Sequence, residues 1–250
     1  MKIALITGGS RGLGKSISLH LAEKGNDIIL TYQNNAAAAQ EVVAQILKMG
    51  RKAVALKLSM AGHDTFAVFA EEVKAALHQN WQRNNFDFLV NNAGMGVNNP
   101  FMDTTETQFD DLMNVHFKGT FFLAQKLLPL MKDGGRIINI SSGLARFSMP
   151  GYSAYAAMKG AIEVLTRYLA KELGPRKITA NIIAPGAIET DFGGGLVRDN
   201  KQINDIIASS TALGRVGLPD DIGGAVASLL SDDSGWINGQ RIEVSGGIFL

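Results

Sequence analysis

Short apolar runs alternate with longer stretches of helical period along the whole chain. "KIALI" at residues 2–6 reads as a strand, and Gly12 to Lys24 as a helix that stops at Gly25. "DIILTY" is a second strand, followed by a helix over "AAAAQEVVAQILKM" that stops at Gly50. "AVALKL" is a third strand, with a helix after it through about His78. "DFLV" and "RIINI" are further strands, separated by one long helical segment from about Thr104 to Met131. A helix from about Ser153 to Leu173, the strand "TANIIA", a last helix starting near Pro219 and the strand "RIEV" complete the pattern. Ser153 is the expected N-cap of its helix.

The strands carry Ile, Val and Leu at both alternating positions, as strands do when helices cover both faces of a sheet. The β–α alternation therefore predicts an α/β fold: a doubly wound parallel sheet of about seven strands. No repeat, low-complexity segment or linker interrupts residues 1–250, so one domain is expected. The stretch "HQNWQRNNF" at 78–86 is longer than the pattern requires and reads as a surface loop, with Trp81 packing down or meeting a partner.

Composition narrows the function. The chain has 250 residues, 46% hydrophobic and 19% charged, with net charge +1. No basic run favours nucleic acid or an anionic membrane. The absence of cysteine excludes disulfides, thiolate nucleophiles and Cys-ligated metal. The opening "MKIALITGGSRG" lacks a cleavage-site pattern and reads as a first strand, so a cytoplasmic protein is expected. His20, His63, His78 and His116 show no metal-ligand spacing.

Four motifs follow predicted strands directly: "TGGSRGLG", "NNAG", "SSG" and "PGAIET". In an open parallel sheet, ligands bind at the carboxyl ends of the strands, so all four converge on one crevice. Gly8, Gly12 and Gly14 suit a tight turn, close approach to a pyrophosphate and close helix–strand contact, with a helix N-terminus behind them. A plain strand-to-helix turn that tolerates glycine is the ordinary alternative.

"GYSAYAAMKG" at 151–160 holds two tyrosines and a lysine. Tyr155 and Lys159 are four residues apart, which puts them on one helix face; Tyr152 falls outside the helix. Making a phenol useful near neutral pH takes a fall of about 3–4 kcal/mol in the cost of ionisation. An ammonium at about 5 Å contributes roughly 3 kcal/mol at an effective dielectric near 20. A bare Y-x3-K is more often a core tyrosine beside a snorkelling lysine. Ser142, at the same sheet edge and 13 residues before Tyr155, changes that balance, because its hydroxyl can polarise a substrate oxygen. Serine is also a common turn-former after a strand.

Taken in order, TG-x3-G-x-G, NNAG, a serine 13 residues before Y-x3-K, PG-x-I-x-T and the C-terminal "GRVGLPDDIGG…INGQRIEVSGG" resemble the short-chain dehydrogenase/reductase family over essentially the whole chain. The resemblance implies a Rossmann-type domain and hydride transfer between a nicotinamide cofactor and a carbonyl or secondary alcohol. It implies Tyr155 as general acid/base, Lys159 lowering its pKa and binding the nicotinamide ribose, and Ser142 positioning the substrate oxygen. Asn114, in "MNVHFKG", matches a fourth catalytic position, where a local helix distortion holds a proton-relaying water. The cofactor would lie on the loop Gly8, Ser10, Arg11, Gly12, Leu13 and Gly14, with Asn91, Ala93 and Gly94 forming the adenosine-side loop and a sheet-bracing turn. Pro185, Gly186, Ile188 and Thr190 would meet the carboxamide. Ser59 stands where the family usually carries an acidic or amide residue near the adenine.

The cofactor expected is NADPH. "LTYQNN" after the second strand carries no carboxylate to bind a ribose 2′-hydroxyl, and Arg11 offers a guanidinium to a 2′-phosphate. The substrate pocket is expected to involve Met95, Leu144, Arg146, Phe147, Met149 and "ETDFGGGLVRDN", with Gly193 to Gly195 as a mobile lid. A β-ketoacyl carrier-protein reductase is a narrower alternative, with Lys126, Lys132 and Arg167 as candidate carrier contacts. A non-catalytic dinucleotide sensor on the same fold and a purely structural subunit are alternatives of other classes. The family resemblance implies a homotetramer, and Ala156, Ala157, Gly160 and Ala161 give one helix a small-residue face for it.

Overall fold

The computed structural model describes residues 1–250. Strand β1 (Ile3–Ile6) is buried at every position and alternates its side chains between two cores. Ala4 and Ile6 join one core with Ile17, Leu21, Val42, Ile46, Ile222 and Val226; Ile3 and Leu5 join the other with Phe66, Phe69, Val73, Leu123 and Leu127. Burying each such Ile, Leu or Phe stabilises the fold by about 1.5–3 kcal/mol. Both faces of the sheet are thus covered, which is why its strands are apolar throughout.

The remaining strands are β2 (Asp27–Tyr32), β3 (Ala53–Lys57), β4 (Phe86–Asn91), β5 (Met131–Ile140), β6 (Thr179–Pro185) and β7 (Arg241–Val244). They form one sheet in the order β3-β2-β1-β4-β5-β6-β7, with every pair parallel. The chain reverses its direction of winding between β3 and β4, so β1 lies between β2 and β4 and a crevice opens at their carboxyl ends.

Helices α1 (Gly12–Glu23), α2 (Ala36–Lys48) and α3 (Phe66–Trp81) cross between the first strands. α3 runs past the expected stop and ends with Gln82 in the left-handed region at φ 51°. Residues 78–81 of the anticipated surface loop are therefore helix, and its last residue, Phe86, opens β4. Trp81 is buried, and its Nε1 donates to Asp27 Oδ2 at 2.7 Å. Asp27, fully buried at the start of β2, also accepts from Arg51 Nη2 at 2.6 Å and from the Lys52 amide at 3.0 Å. The long stretch before β4 carries the tryptophan that completes this buried carboxylate's partners.

The single helix expected from Thr104 to Met131 is broken. α4 (Glu106–Leu112) starts at a capping box of Thr105 and Gln108. A π-helical turn, Met113–Lys118, follows, and then α5 (Gly119–Leu127). A side chain at Gly119 would collide with the Met60 carbonyl oxygen, so the turn is pressed against the loop after β3. β5 starts earlier than "RIINI", through one added pair between Met131 and Phe86.

α6 (Ser153–Glu172) begins at Ser153 itself; Tyr152 occupies the cap position and no side chain caps the helix, which corrects the expected N-cap. Three glycines with φ between 62° and 78°, Gly193 to Gly195, lead into the one-turn α7 (Leu196–Asp199). α8 (Lys201–Ser209), absent from the sequence reading, is capped by Asn200. α9 (Pro219–Leu229) lies against α1, where Ser16 Oγ donates to Asp220 Oδ1 at 2.7 Å. No helix is long and apolar enough to cross a membrane.

Candidate active site

The glycine loop after β1 is built around close approach. Gly8 has φ +66°. A Cβ on it would lie 3.0 Å from Ala93 Cα. A Cβ on Gly14 would strike the Gly8 carbonyl oxygen. Gly12 opens α1 at φ +52°, and a Cβ there would meet nothing nearer than Thr190 at 3.6 Å. The N-terminal N–H groups of α1 have no side-chain cap and no acidic residue in the first turn, so they are free to bind an anion. That open cradle fits a dinucleotide's phosphates, flanked by Ser10, Arg11 and Leu13 on one side and Thr190 on the other.

The loop after β4 braces this cradle. Asn92 Nδ2 donates to the carbonyl oxygens of Thr7 at 2.8 Å and Gly8 at 3.2 Å, and its amide donates to Thr7 Oγ1 at 3.0 Å. Asn91, expected on the adenosine side and in a sheet-bracing turn, is turned into the sheet and braces it: its Nδ2 donates to Asn139 Oδ1 at 2.7 Å, and Asn139 in turn donates to Thr166 Oγ1. Strand alternation decides the matter, since adjacent residues of the NNAG run point to opposite sides. Asn92 went unread; the doubled asparagine was the signal.

Ser142, Tyr155 and Lys159 meet at the carboxyl end of β5. Ser142 Oγ accepts from the Leu144 amide at 3.2 Å, so it forms the turn after the strand as well as facing the phenol. Tyr155 and Lys159 are both buried on one face of α6, with Lys159 Nζ 5.6 Å from the Tyr155 ring centroid. Lys159 Nζ donates to the Ile140 carbonyl oxygen at 2.8 Å, which anchors it beside the strand end.

Burial acts on both groups. It pushes the Tyr155 phenol above its ordinary value, with Ser142 pulling it back and Tyr152 adding to the rise. It pushes Lys159 down to about 7. The lysine expected to lower the phenol therefore loses part of its own charge at neutral pH, and desolvation outweighs it in this pair. The phenol is accordingly protonated at neutral pH and able to give a proton.

Asn114 lies in the π-helical turn, and its carbonyl oxygen accepts both the Gly119 amide and His63 Nε2, the latter at 3.0 Å. Ser59 lies in the turn after β3, its carbonyl bonded by the Gly62 amide at 3.1 Å. Pro185 ends β6, and Gly186 packs so closely on Ser245 that a Cβ would lie 3.0 Å from it. Ile188 bridges to Gly217. Thr190 Oγ1 accepts from the Phe192 amide at 3.1 Å.

Around Tyr155 the walls are apolar: Leu112 and Met158 are buried with it, and Met95, Val97, Leu144 and Tyr152 pack against them. Phe192 tilts over the tyrosine at 5.7 Å between ring centroids. Phe147 meets Phe249 edge-on at 4.8 Å, and Arg146 pairs with Glu243. Lys132 stands at the amino end of β5, the opposite end of the sheet from Ser142, so it does not flank the crevice. Lys126 and Arg167 are exposed on α5 and α6.

A family model described as Enoyl-(Acyl carrier protein) reductase matches residues 8–248. The chain is 38% identical over 258 residues to tetrahydroxynaphthalene reductase PfmaG of Pestalotiopsis fici, an alignment covering 98% of this chain and 91% of the relative. Its structure matches that of the promiscuous reductase LugOII, which catalyses keto-reduction at C1 during lugdunomycin biosynthesis, with TM-score 0.94 and 39% identity, covering 100% of this chain and 98% of the other. The angucycline C-6 ketoreductase LanV, crystallised with NADP, matches with TM-score 0.94 and 35% identity, covering 99% of this chain and 95% of LanV.

Proposed function

The chain belongs to the short-chain dehydrogenase/reductase family and is an NADPH-dependent oxidoreductase of carbonyl and hydroxyl groups; from that premise we propose that it reduces a ketone on a fused-ring aromatic compound, with Tyr155 supplying the proton. The observation that carries this reading is the meeting of Ser142, Tyr155 and Lys159 in an apolar pocket beside the glycine cradle. When bound, NADPH supplies the hydride to the carbonyl carbon. Ser142 donates a hydrogen bond to the carbonyl oxygen and holds it at the phenol. Tyr155 passes its proton to that oxygen as the carbon–oxygen double bond becomes single. Lys159 stabilises the phenolate left behind, which restores the charge balance that burial opposes.

The substrate class rests on the relatives, which act on hydroxynaphthalenes and angucyclines, and on the apolar, ring-rich walls here. A carrier-protein substrate is less well supported, because Lys132 lies at the wrong end of the sheet.

The preference for NADPH follows from charge. After β2 the chain reads Gln33, Asn34 and Asn35, and Asn35 is used as the cap of α2. Asp27, the one acid of β2, is buried at its far end and committed to Arg51, Lys52 and Trp81. Arg11 is exposed beside the cradle, its nearest charged partner Asp191 at 3.8 Å. A charge-assisted contact to a 2′-phosphate contributes about 1.5–3 kcal/mol, roughly 10- to 150-fold in affinity. Steady-state assays should show Arg11→Ala raising the KM for NADPH by that factor and leaving NADH nearly unchanged. Equal weakening of both cofactors would remove Arg11 from the 2′-phosphate site.

A further inference from the structure

The segment from Ala93 to Asn99 has no regular secondary structure, yet it supplies Met95 and Val97 to the wall facing Tyr155. Its ends are tied down: the Ala93 amide donates to Thr7 Oγ1 at 3.0 Å, and the Asn99 amide to the Gly151 carbonyl at 2.9 Å. Between those anchors the hydrogen bonding comes from one side chain, His116. Its Nε2 lies 2.7 Å from the Met95 carbonyl oxygen and 3.2 Å from the Met95 amide.

His116 lies within the π-helical turn, on the buried side shared with Leu112, Thr120 and Leu123, while Asn114, Val115 and Phe117 beside it are partly exposed. The ring is 2% exposed and meets Tyr155 edge-on, with centroids 5.2 Å apart and planes at 88°. It occupies the space that a side chain at residue 94 would take, since a Cβ on Gly94 would lie 2.6 Å from His116 Cε1. Burial and the neighbouring Lys159 push the imidazole down to about 3, so it is neutral and carries one N–H. The shorter contact assigns that proton to Nε2, donating to the Met95 carbonyl. Nδ1 has no partner, so the Met95 bond is what offsets the desolvation of the ring.

We propose that His116 is a positioning residue for the reduction: it fixes Met95, and with it the substrate-facing segment Gly94–Asn98, at a set distance from the Tyr155 phenol. The inference rests on Tyr155 being the proton donor. The role assigned to His116 is exerted through Met95.

Three variants separate positioning from packing. His116→Leu keeps much of the volume and loses the Nε2–H. His116→Gln places an amide nitrogen close to Nε2 and can still donate to Met95. His116→Asn is too short to reach it. With NADPH and 2-tetralone as the probe ketone, His116→Leu and His116→Asn should raise the ketone KM about 10-fold, the scale of one lost hydrogen bond. The KM for NADPH should stay within about 2-fold, and His116→Gln should return the ketone KM to within about 3-fold of wild type. Hydrogen exchange of the peptide carrying Met95–Asn98 should quicken in the Leu and Asn variants and not in the Gln variant. Should His116→Leu fail to fold, the Gln and Asn variants decide alone. Equal behaviour of Gln and Asn, in KM and in exchange, would overturn the proposal. If wild type leaves 2-tetralone untouched, it is the ketone reading that fails, and the exchange comparison still decides the role of His116.

Discussion

One oxygen atom separates tyrosine from phenylalanine, and at residue 155 that atom carries the transferable proton. Tyr155→Phe should cut turnover at least about 100-fold while NADPH still binds, as read by titrating cofactor fluorescence; Tyr152→Phe, outside the helix, should cost far less. Lys159 makes a prediction about stability. Its folded value of about 7 lies below the ordinary lysine value, so between pH 7 and about 10.5 the unfolded chain binds the extra proton and stability rises with pH. Below pH 7 the folded protein carries a buried charge. Lys159→Met should therefore raise Tm more at pH 6 than at pH 9, and the reverse order would contradict the assigned shift. Spacing brought Tyr155, Lys159 and Ser142 together as candidates, because four residues on a helix and one strand end are local facts, and the family resemblance gave them their expected roles. The roles of Asn92 and His116 were not readable, although the doubled asparagine pointed to the first. Their partners Thr7 and Met95 lie 85 and 21 residues away, and only the folded sheet brings them together.

Elements were legible where period and punctuation agreed. β2 matches its expected bounds, and α1 and α2 end within a residue of theirs, because Gly25 and Gly50 follow them directly. Two elements escaped the pattern reading, for different reasons. The apolar pattern after Thr104 is unbroken, and only the family resemblance at Asn114 implied the distortion that the π-helical turn provides, with Gly119 packed on the Met60 carbonyl. α8 carried its own signal, with Asn200 as cap and Ile203, Ile206 and Ile207 at helical spacing, but the glycines before it read as a lid. α3 gained its last turn from Trp81, whose bond to Asp27 joins it to β2. Trp81→Phe keeps the ring and removes one donor from a buried carboxylate, a loss of about 1.5–3 kcal/mol. For a chain of this size that corresponds to a fall in Tm of roughly 3–12 °C. KM values should not move, since Asp27 sits at the amino end of its strand, away from the crevice.

The sheet and its two covered faces could be anticipated as a whole, because strand composition reports burial on both sides. Assembly between copies was implied by the family resemblance and by the small residues of one helix, whereas the exposed apolar side chains beside them show only in the folded surface. Phe109, Phe121 and Phe122 on α4 and α5 and Val164 and Tyr168 on α6 are exposed, and Gly160 has open space where a side chain would stand. We propose that these faces of α4, α5 and α6 meet their copies across one interface of the homotetramer that the family resemblance implies. Light scattering at micromolar concentration should give about four times the 26.7 kDa chain mass, and a monomer would refute it.

The contact between α1 and α9 joins helices far apart along the chain, and that sets an order in time. α1 is complete by Glu23, whereas α9 begins at Pro219. At about 5–20 residues per second, a ribosome takes roughly 10–40 s to make what lies between. Throughout that interval α2 can settle on the first strands, but the flank of α1 that will receive Gly223 and Val226 stays wet. The nascent chain thus carries Ile17 and Leu21 of α1 without their α9 partners Ile222 and Val226 until α9 emerges. A holdase that shelters these side chains, or a translation rate that shortens the wait, would decide how much of the protein reaches its folded state.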